Sequence, residues 1–217
     1  MKKTVVGLNG SPRKNWNTAT LLERALEGAA AAGARTELIH LDDLTFRGCS
    51  SCFECKRKGG PSYGRCALRD ELTPLLERLP AADAIFFASP VYIGAESAQM
   101  RAFMERFLFP YIAYSQTTPS LYPKKIPAGF IYTMNVTEEQ AAMIGFDRHF
   151  DVTDFALQRV FGSSERLLCT DTCQFDDYSA FTSDMFDAAA KRQRRLENFP
   201  EDCRKAFAMG ERFALAP

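Results

Sequence analysis

Short apolar runs alternate along this chain with segments whose apolar residues recur at helical spacing. The runs are rich in β-forming residues and almost continuously apolar, which predicts strands that are buried on both faces. Five such strands are expected, at residues 4–8, 38–41, 84–88, 129–134 and 166–170. Helices are expected after residue 18, after an Asp70 cap, at about 97–109, over most of 137–161, and from 184 onward with a break near Pro200. This alternation predicts a doubly wound α/β fold, a parallel sheet with helices on both faces.

Length and composition favour one compact domain. The chain has 217 residues, 46% of them hydrophobic, with no repeat or linker, so we expect a single domain over 1–217. It would include a cysteine-rich loop at 47–69 and a helical extension at about 182–217. The 27 basic and 27 acidic residues balance, which argues against a nucleic-acid partner.

The apolar runs are too short for a membrane protein. None approaches the roughly 18 residues that would span a bilayer, so no membrane partner is expected. The first ten residues, MKKTVVGLNG, also lack the long apolar run of a secretory signal. We therefore expect a cytoplasmic protein.

The turn after the first strand carries a group of polar side chains at the start of the next helix. Ser11 and Thr18 supply hydroxyl groups, Asn17 an amide and Arg13 a guanidinium group. Neither the P-loop pattern nor the dinucleotide fingerprint is present. Many donors and one positive charge suit a terminal phosphate monoester, which accepts hydrogen bonds from several directions. A polar helix cap with an exposed arginine is the alternative.

Two motifs in this order carry a resemblance to a known family. The first loop, Gly10–Arg13 followed by Asn17 and Thr18, resembles the GSPRxxxNT phosphate loop of the NADPH-dependent FMN reductase family. The second, Ser89–Gly94 after the third strand, is similar to that family's SPVYxG loop, and the resemblance continues into the following helix. It extends to the iron-sulfur flavoprotein branch. The resemblance implies a flavodoxin-like, five-stranded sheet and non-covalently bound FMN.

The family's cofactor contacts can be carried over residue by residue. The FMN phosphate would be held by Ser11, Arg13, Asn17 and Thr18. The isoalloxazine ring would lie beside Pro90, Val91, Tyr92, Ile93 and Gly94, with further contacts from Thr133, Met134 and Asn135. The alternatives are a structural turn with a core tyrosine at the second loop, and a strand end whose Asn135 and Thr137 cap the next helix. No catalytic side chain is predicted, because the flavin supplies the reactivity; His40 and His149 are expected to be structural.

Four of the seven cysteines lie close together in the sequence, at positions 49, 52, 55 and 66. Cys49, Cys52, Cys55 and Cys66 resemble the ligand set of a 4Fe-4S cluster in the iron-sulfur flavoproteins. The ten residues before Cys66 form a longer gap than that family's pattern, so zinc or free thiols stay open as alternatives. Cys169, Cys173 and Cys203 have no ligand spacing and are expected to be ordinary thiols.

The resemblance implies an oxidoreductase that takes electrons from NAD(P)H as co-substrate and passes them through FMN. The acceptor would be a small molecule such as a flavin, a quinone or iron. The alternative is an electron carrier that serves redox-protein partners and turns over no small substrate. A homodimer or homotetramer is expected. The basic run Lys191–Arg195 is interpreted as a solvated helix face, with a subunit or NADPH-phosphate contact as the alternative.

Overall fold

A computed structural model describes residues 2–216. Its central sheet consists of β1 (Thr4–Asn9), β2 (Arg35–His40), β3 (Ala84–Tyr92), β4 (Ala95–Glu96), β5 (Ala128–Thr133) and β6 (Glu165–Cys169). Five of these strands are parallel in the order β2-β1-β3-β5-β6, and the two-residue β4 pairs antiparallel with the end of β3. Counted along the parallel strands, this is the flavodoxin-like order 2-1-3-4-5. The predicted fold class is therefore confirmed, with one short added strand.

Seven α-helices surround the sheet in the described range. They are α1 (Asn17–Ala31), α2 (Thr73–Arg78), α3 (Ala98–Tyr111), α4 (Glu138–Ile144), α5 (Phe146–Phe161), α6 (Ala188–Glu197) and α7 (Phe199–Leu215). The helix expected over 137–161 is two helices, because Gly145 takes a left-handed conformation with φ of 90°. Asp70 lies outside α2, although its carboxylate accepts from the main-chain N–H of Leu72 at 3.1 Å.

The sheet has a hydrophobic core on each face. Side chains of a strand alternate between faces, so adjacent residues of β3 enter different cores. Phe86 stacks on Phe213 of α7, with ring centres 4.7 Å apart. Phe87 packs instead with Phe103 of α3 and with Phe130. Helices α1 and α7 thus cover one face, and α3 and α5 cover the other.

The C-terminal helix crosses α1 at very short range. A Cβ atom added to Gly210 would lie 1.8 Å from the main-chain oxygen of Ala25, and one added to Gly28 would lie 2.0 Å from that of Phe207. Only glycine permits this approach of two backbones. The expected C-terminal extension is therefore a packed layer of the sandwich. Of the described helices, none combines the length and apolar character needed to cross a membrane.

Candidate functional site

The carboxyl ends of β1, β3 and β5 border a cavity of about 210 Å³, named here the β-edge cavity. Ten of the twelve predicted cofactor contacts line it: Ser11, Arg13, Asn17, Thr18, Pro90, Val91, Tyr92, Thr133, Met134 and Asn135. The other two, Ile93 and Gly94, form the tip of the β3–β4 hairpin with φ values of 52° and 79° and do not line the cavity. Ligands of open α/β sheets bind at this edge.

One end of the β-edge cavity is the N-terminus of α1. The residue before the helix, Trp16, makes no side-chain cap, and no acidic residue lies in the first turn. The first N–H groups of the helix are therefore free to meet an anion. The Ser11 hydroxyl is held in place because its oxygen accepts from the Arg13 main-chain N–H at 3.1 Å. Thr18 is buried and its hydroxyl bonds to that of Thr133 at 2.7 Å.

Arg13 brings a positive charge to the same end. Its guanidinium group lies 3.9 Å from the ring centre of Trp16 and donates to the main-chain oxygen of Gln174 at 2.7 Å. Within residues 2–216, no carboxylate forms an ion pair with Arg13. The charge is thus available to a ligand, while the exposure of Arg13 also agrees with the alternative of a polar helix cap with an exposed arginine.

The second loop is tied to the first by Ser97, the residue that caps α3. Its hydroxyl donates to the main-chain oxygen of Gly10 at 2.6 Å, and its main-chain N–H donates to the Ser89 hydroxyl at 2.9 Å. Both loops are therefore held in one arrangement. Tyr92 lies at the cavity with 48% of its surface exposed, so it is not a core tyrosine.

Asn135, which also lines the cavity, carries an unsatisfied acceptor. Its side-chain Oδ1 is buried and has no hydrogen-bond donor among the described residues. The next helix begins with a capping box that does not involve Asn135: the Thr137 hydroxyl accepts from the Gln140 main-chain N–H at 3.2 Å, and the Gln140 side chain accepts from the Thr137 main-chain N–H at 3.0 Å. A buried acceptor without a donor is costly. At the cavity wall, this acceptor is available to an N–H or O–H group that enters the cavity.

Five cavity residues were missed by sequence reasoning. They are Trp16, Thr172, Cys173, Gln174 and Phe175. The main-chain oxygen of Cys173 accepts from the Trp16 indole at 3.2 Å and from the Asn17 amide at 2.9 Å. The segment after β6 thus closes one side of the β-edge cavity, and no local motif marks it.

The interpretation of Lys191–Arg195 as a solvated face is wrong for three of its members. The Arg194 side chain is only 15% exposed and pairs with Asp202 at 2.7 Å. Lys191 is buried, and its amino group donates to the Asn135 main-chain oxygen at 2.6 Å and pairs with Asp171. Arg195 donates to the side-chain oxygen of Asn17. All three cations are held by tertiary contacts that the composition of the run does not reveal.

A buried carboxylate holds the hairpin that carries the second loop. Glu96 of β4 accepts from the Tyr132 hydroxyl at 3.0 Å, the Thr153 hydroxyl at 2.9 Å and His149 Nε2 at 2.6 Å. Burial alone raises the pKa of Glu96, but these hydrogen bonds, led by that from His149, outweigh it and hold the pKa below its ordinary 4.5. His149 therefore has a structural role, while His40 contacts the Asn9 side chain at 2.9 Å.

The cysteine loop is attached to the outer side of α3. The Glu105 carboxylate accepts from the Cys49 main-chain N–H at 3.0 Å. The buried Arg106 donates to the Cys66 sulfur at 3.3 Å, and Lys56 donates to carbonyl groups at the C-terminal end of the helix. The loop is therefore attached to one helix at three points, once through its backbone and twice through its side chains.

The four clustered thiols line a separate small cavity of about 20 Å³. Cys49 and Cys52 are exposed, Cys66 is half-buried, and Cys55 is buried, which raises the pKa of its thiol. Across residues 2–216, however, no three His, Cys, Asp or Glu side chains converge as a metal site. As placed, the thiols do not fit a cluster. Of the other three cysteines, Cys169 and Cys173 are buried and Cys203 is half-buried.

Comparison with known sequences points to one family. An iron-sulfur flavoprotein of Methanocaldococcus jannaschii is 38% identical over 102 residues, which cover 47% of this chain and 50% of that protein. An iron-sulfur flavoprotein of Archaeoglobus fulgidus is 36% identical over 106 residues, covering 49% of this chain and 46% of the relative. The chain thus spans about half the length of the curated relatives it matches.

The fold is shared with solved structures at low sequence identity. The NAD(P)H:quinone oxidoreductase from Methanothermobacter marburgensis superposes with a TM-score of 0.71 at 18% identity, over 97% of this chain and 98% of that chain. The sequence model for NADPH-dependent FMN reductases matches residues 3–130, more than half of the chain, and this range contains both loops of the β-edge cavity. The chain belongs to the NADPH-dependent FMN reductase family.

Proposed function

We propose that this protein is an FMN-dependent oxidoreductase that passes electrons from NAD(P)H through bound FMN to a small acceptor such as a free flavin, a quinone or iron. The main support is that ten predicted contacts, which come from three distant segments of the chain, line the same β-edge cavity. When bound, FMN supplies the hydride-accepting ring, and the protein supplies binding, orientation and electrostatics.

The phosphate of FMN fits the end of the cavity formed by α1. A phosphate monoester carries close to two negative charges and accepts hydrogen bonds from several directions. Matching donors are available at this end: the uncapped main-chain N–H groups of Asn17 and Thr18, and the Ser11 hydroxyl. Arg13, which pairs with no carboxylate of the described chain, adds a positive charge. The same surroundings would repel a cationic ligand.

The flavin ring fits the end formed by the second loop and β5. Its pyrimidine portion carries an N–H group, which is the type of donor that the buried Asn135 Oδ1 lacks. Pro90, Val91 and Tyr92 border the same space, and the half-exposed Tyr92 provides an aromatic face for the ring.

Replacing Arg13 by alanine tests the phosphate assignment. Losing a charge-assisted contact of about 1.5 to 3 kcal/mol weakens FMN binding by roughly 10- to 150-fold. Riboflavin, which lacks the phosphate, is expected to lose little affinity. Unchanged FMN affinity in this variant, measured by quenching of flavin fluorescence, would remove Arg13 from the site.

The enzyme assignment requires that NAD(P)H reduce the bound flavin. Under anaerobic conditions, adding NADH or NADPH to the FMN-loaded protein is expected to bleach the flavin absorbance band, and an added quinone or flavin restores it. If neither nucleotide bleaches the band while a low-potential redox protein does, the protein is an electron carrier and the reductase proposal is wrong.

The carrier role is a second candidate because of the cysteine loop. Four thiols line one cavity on a loop anchored to α3, and the relatives named above are called iron-sulfur flavoproteins. Because the thiols lie on one anchored loop but do not converge as a metal site among the described residues, we propose Cys49, Cys52, Cys55 and Cys66 as ligands of a 4Fe-4S cluster only in this carrier role. Anaerobic purification is then expected to give about four iron and four sulfide per chain. Zinc in place of iron, or metal-free thiols, would contradict this assignment.

Assembly and domain structure are also proposals. Exposed apolar side chains on α5, among them Val152 and Phe155, favour a homodimer or homotetramer. Light scattering is expected to give a multiple of 24.3 kDa. Residues 1–217 are proposed to form one domain, which requires a single cooperative unfolding transition for the loaded protein. A cytoplasmic location stays a prediction.

A further inference from the structure

Two cations of α6 each contact a residue that lines the β-edge cavity. This helix lies outside residues 3–130, the range that matches the family model. Arg195 donates to the Asn17 side chain, where α1 begins, while Lys191 donates to the Asn135 main-chain oxygen at 2.6 Å. Both contacts join residues more than fifty positions apart in the chain. One short helix therefore contacts two lining residues that are far apart in the sequence.

Arg195 brings a second guanidinium group to the Trp16 ring that Arg13 also contacts. Their central carbons lie 5.7 Å and 3.9 Å from the ring centre of the same residue, Trp16. Neither arginine forms an ion pair with a carboxylate anywhere in the described chain. Two like charges gathered on one indole repel each other. An anion of two charges at the nearby start of α1 relieves that repulsion.

Arg195 also fixes the side chain of Asn17. The amide oxygen accepts from Arg195, and the amide nitrogen donates to the Cys173 main-chain oxygen at 2.9 Å. The orientation of Asn17 at the first position of α1 is thereby set from outside the loop. The Arg195 guanidinium itself packs 4.0 Å from the ring centre of Phe199, which limits its movement.

Lys191 acts through Asn135, which also lines the cavity. Its side chain is 7% exposed, and its amino group is held between the Asn135 main-chain oxygen and the Asp171 carboxylate. Asn135 is the residue whose buried side-chain oxygen lacks a donor. Lys191 thus fixes the backbone that presents this acceptor to the cavity.

We propose that α6 is a cofactor clamp in which Arg195 and Lys191 are positioning residues with separable roles. Arg195 serves the phosphate end of the bound FMN, and Lys191 serves the ring end. The inference rests on the proposed FMN function. It requires that Arg195 contribute to the preference for FMN over riboflavin, whereas Lys191 contributes equally to both.

The two roles are distinguished by measuring dissociation constants for FMN and riboflavin in three variants. Arg195→Met is expected to weaken FMN binding about tenfold or more, because a charge-assisted interaction is lost, with little change for riboflavin. Lys191→Met is expected to weaken both ligands by a similar factor. Arg192→Met, which changes an exposed residue of the same helix, is the matched control and is expected to leave both constants unchanged.

Charge and folding effects are separated by two further measurements. Arg195→Lys retains the positive charge and is expected to restore part of the preference for FMN over riboflavin. If Arg195 had only a structural role, the lysine variant would show no more preference for FMN than Arg195→Met. Thermal unfolding of the flavin-free variants identifies any loss of folding. If Lys191→Met does not fold, Arg195→Met and Arg195→Lys still test whether Arg195 contributes to phosphate binding.

Some results would overturn the clamp. If Arg195→Met leaves FMN affinity unchanged, or weakens FMN and riboflavin by the same factor, Arg195 does not serve the phosphate. If Lys191→Met folds and binds both flavins as the wild type does, the ring-end role is wrong. A wild-type protein that binds neither flavin would show that the proposed FMN function itself fails, a distinct outcome.

Discussion

Replacing Glu96 by glutamine removes the charge from a carboxylate with no exposed side-chain surface. Three donors from β5 and α5 bond to this group, with His149 the closest at 2.6 Å. Glutamine has nearly the same size and keeps one accepting oxygen, so the bonds from Tyr132 and Thr153 can persist. The amide nitrogen then faces His149, and the charge-assisted bond to that histidine is lost.

The size and pH dependence of the effect follow from this geometry. A hydrogen bond to a charged group contributes about 1.5 to 3 kcal/mol. In a chain of this length, that loss lowers the melting temperature by about 3 to 12 °C. Because the hydrogen bonds hold the pKa of Glu96 below its ordinary 4.5, the carboxylate contributes its full stability above pH 4.5. That contribution is lost as the pH falls through 4.5 toward the lower folded-state value.

Both the loss of stability and its pH dependence can be measured by thermal unfolding of the wild type and Glu96→Gln. Unfolding is followed by circular dichroism at about pH 7 and at about pH 4. The difference in melting temperature is expected to be largest at neutral pH and to narrow in acid. Glu23→Gln, at an exposed position of α1, is the control and is expected to match the wild type. A difference that is absent at neutral pH, or that does not narrow in acid, would refute this account of Glu96.

Two further substitutions test the packing around the site. Gly210→Ala places a Cβ atom 1.8 Å from the Ala25 main-chain oxygen and is expected to cost about 3 kcal/mol or more in urea unfolding. Helix propensity alone predicts a gain of about 1 kcal/mol, so a stabilised variant would contradict the close approach of α1 and α7. Ser97→Ala removes the α3 cap and the bond to Gly10, and it is expected to lower the free energy of unfolding by about 1 to 2 kcal/mol. It is also expected to weaken FMN binding. An unfolding free energy equal to that of the wild type would show that the Ser97 contacts do not stabilise the two loops.

The buried strands were predictable because they are continuously apolar. The runs at β3 and β5 lie in the centre of the sheet, and their expected positions match within a few residues at each end. Strand β2 begins at Arg35 rather than at residue 38, since an edge strand tolerates polar residues that interrupt the pattern. The two residues of β4 are too few to form any pattern. Gly145, by contrast, was a visible signal for the break between α4 and α5.

The site was predictable where it is local. The two loops are continuous motifs at strand ends, so the residues they bring to the β-edge cavity could be named from the sequence. The wall formed by Cys173 and Gln174 could not be predicted from the sequence, because Asn17 and its partner Cys173 are 156 positions apart. Lys191 appeared solvated for a similar reason. Its partners, Asp171 and Asn135, become neighbours only when the chain folds.

The central claim is that the β-edge cavity binds FMN. Isothermal titration of FMN into flavin-free protein tests it most directly, with Arg13→Ala titrated alongside. The account predicts saturation at one FMN per chain in the wild type and clearly weaker binding in the variant. An absence of heat and of flavin fluorescence quenching, even with FMN in large excess over the protein, would contradict it.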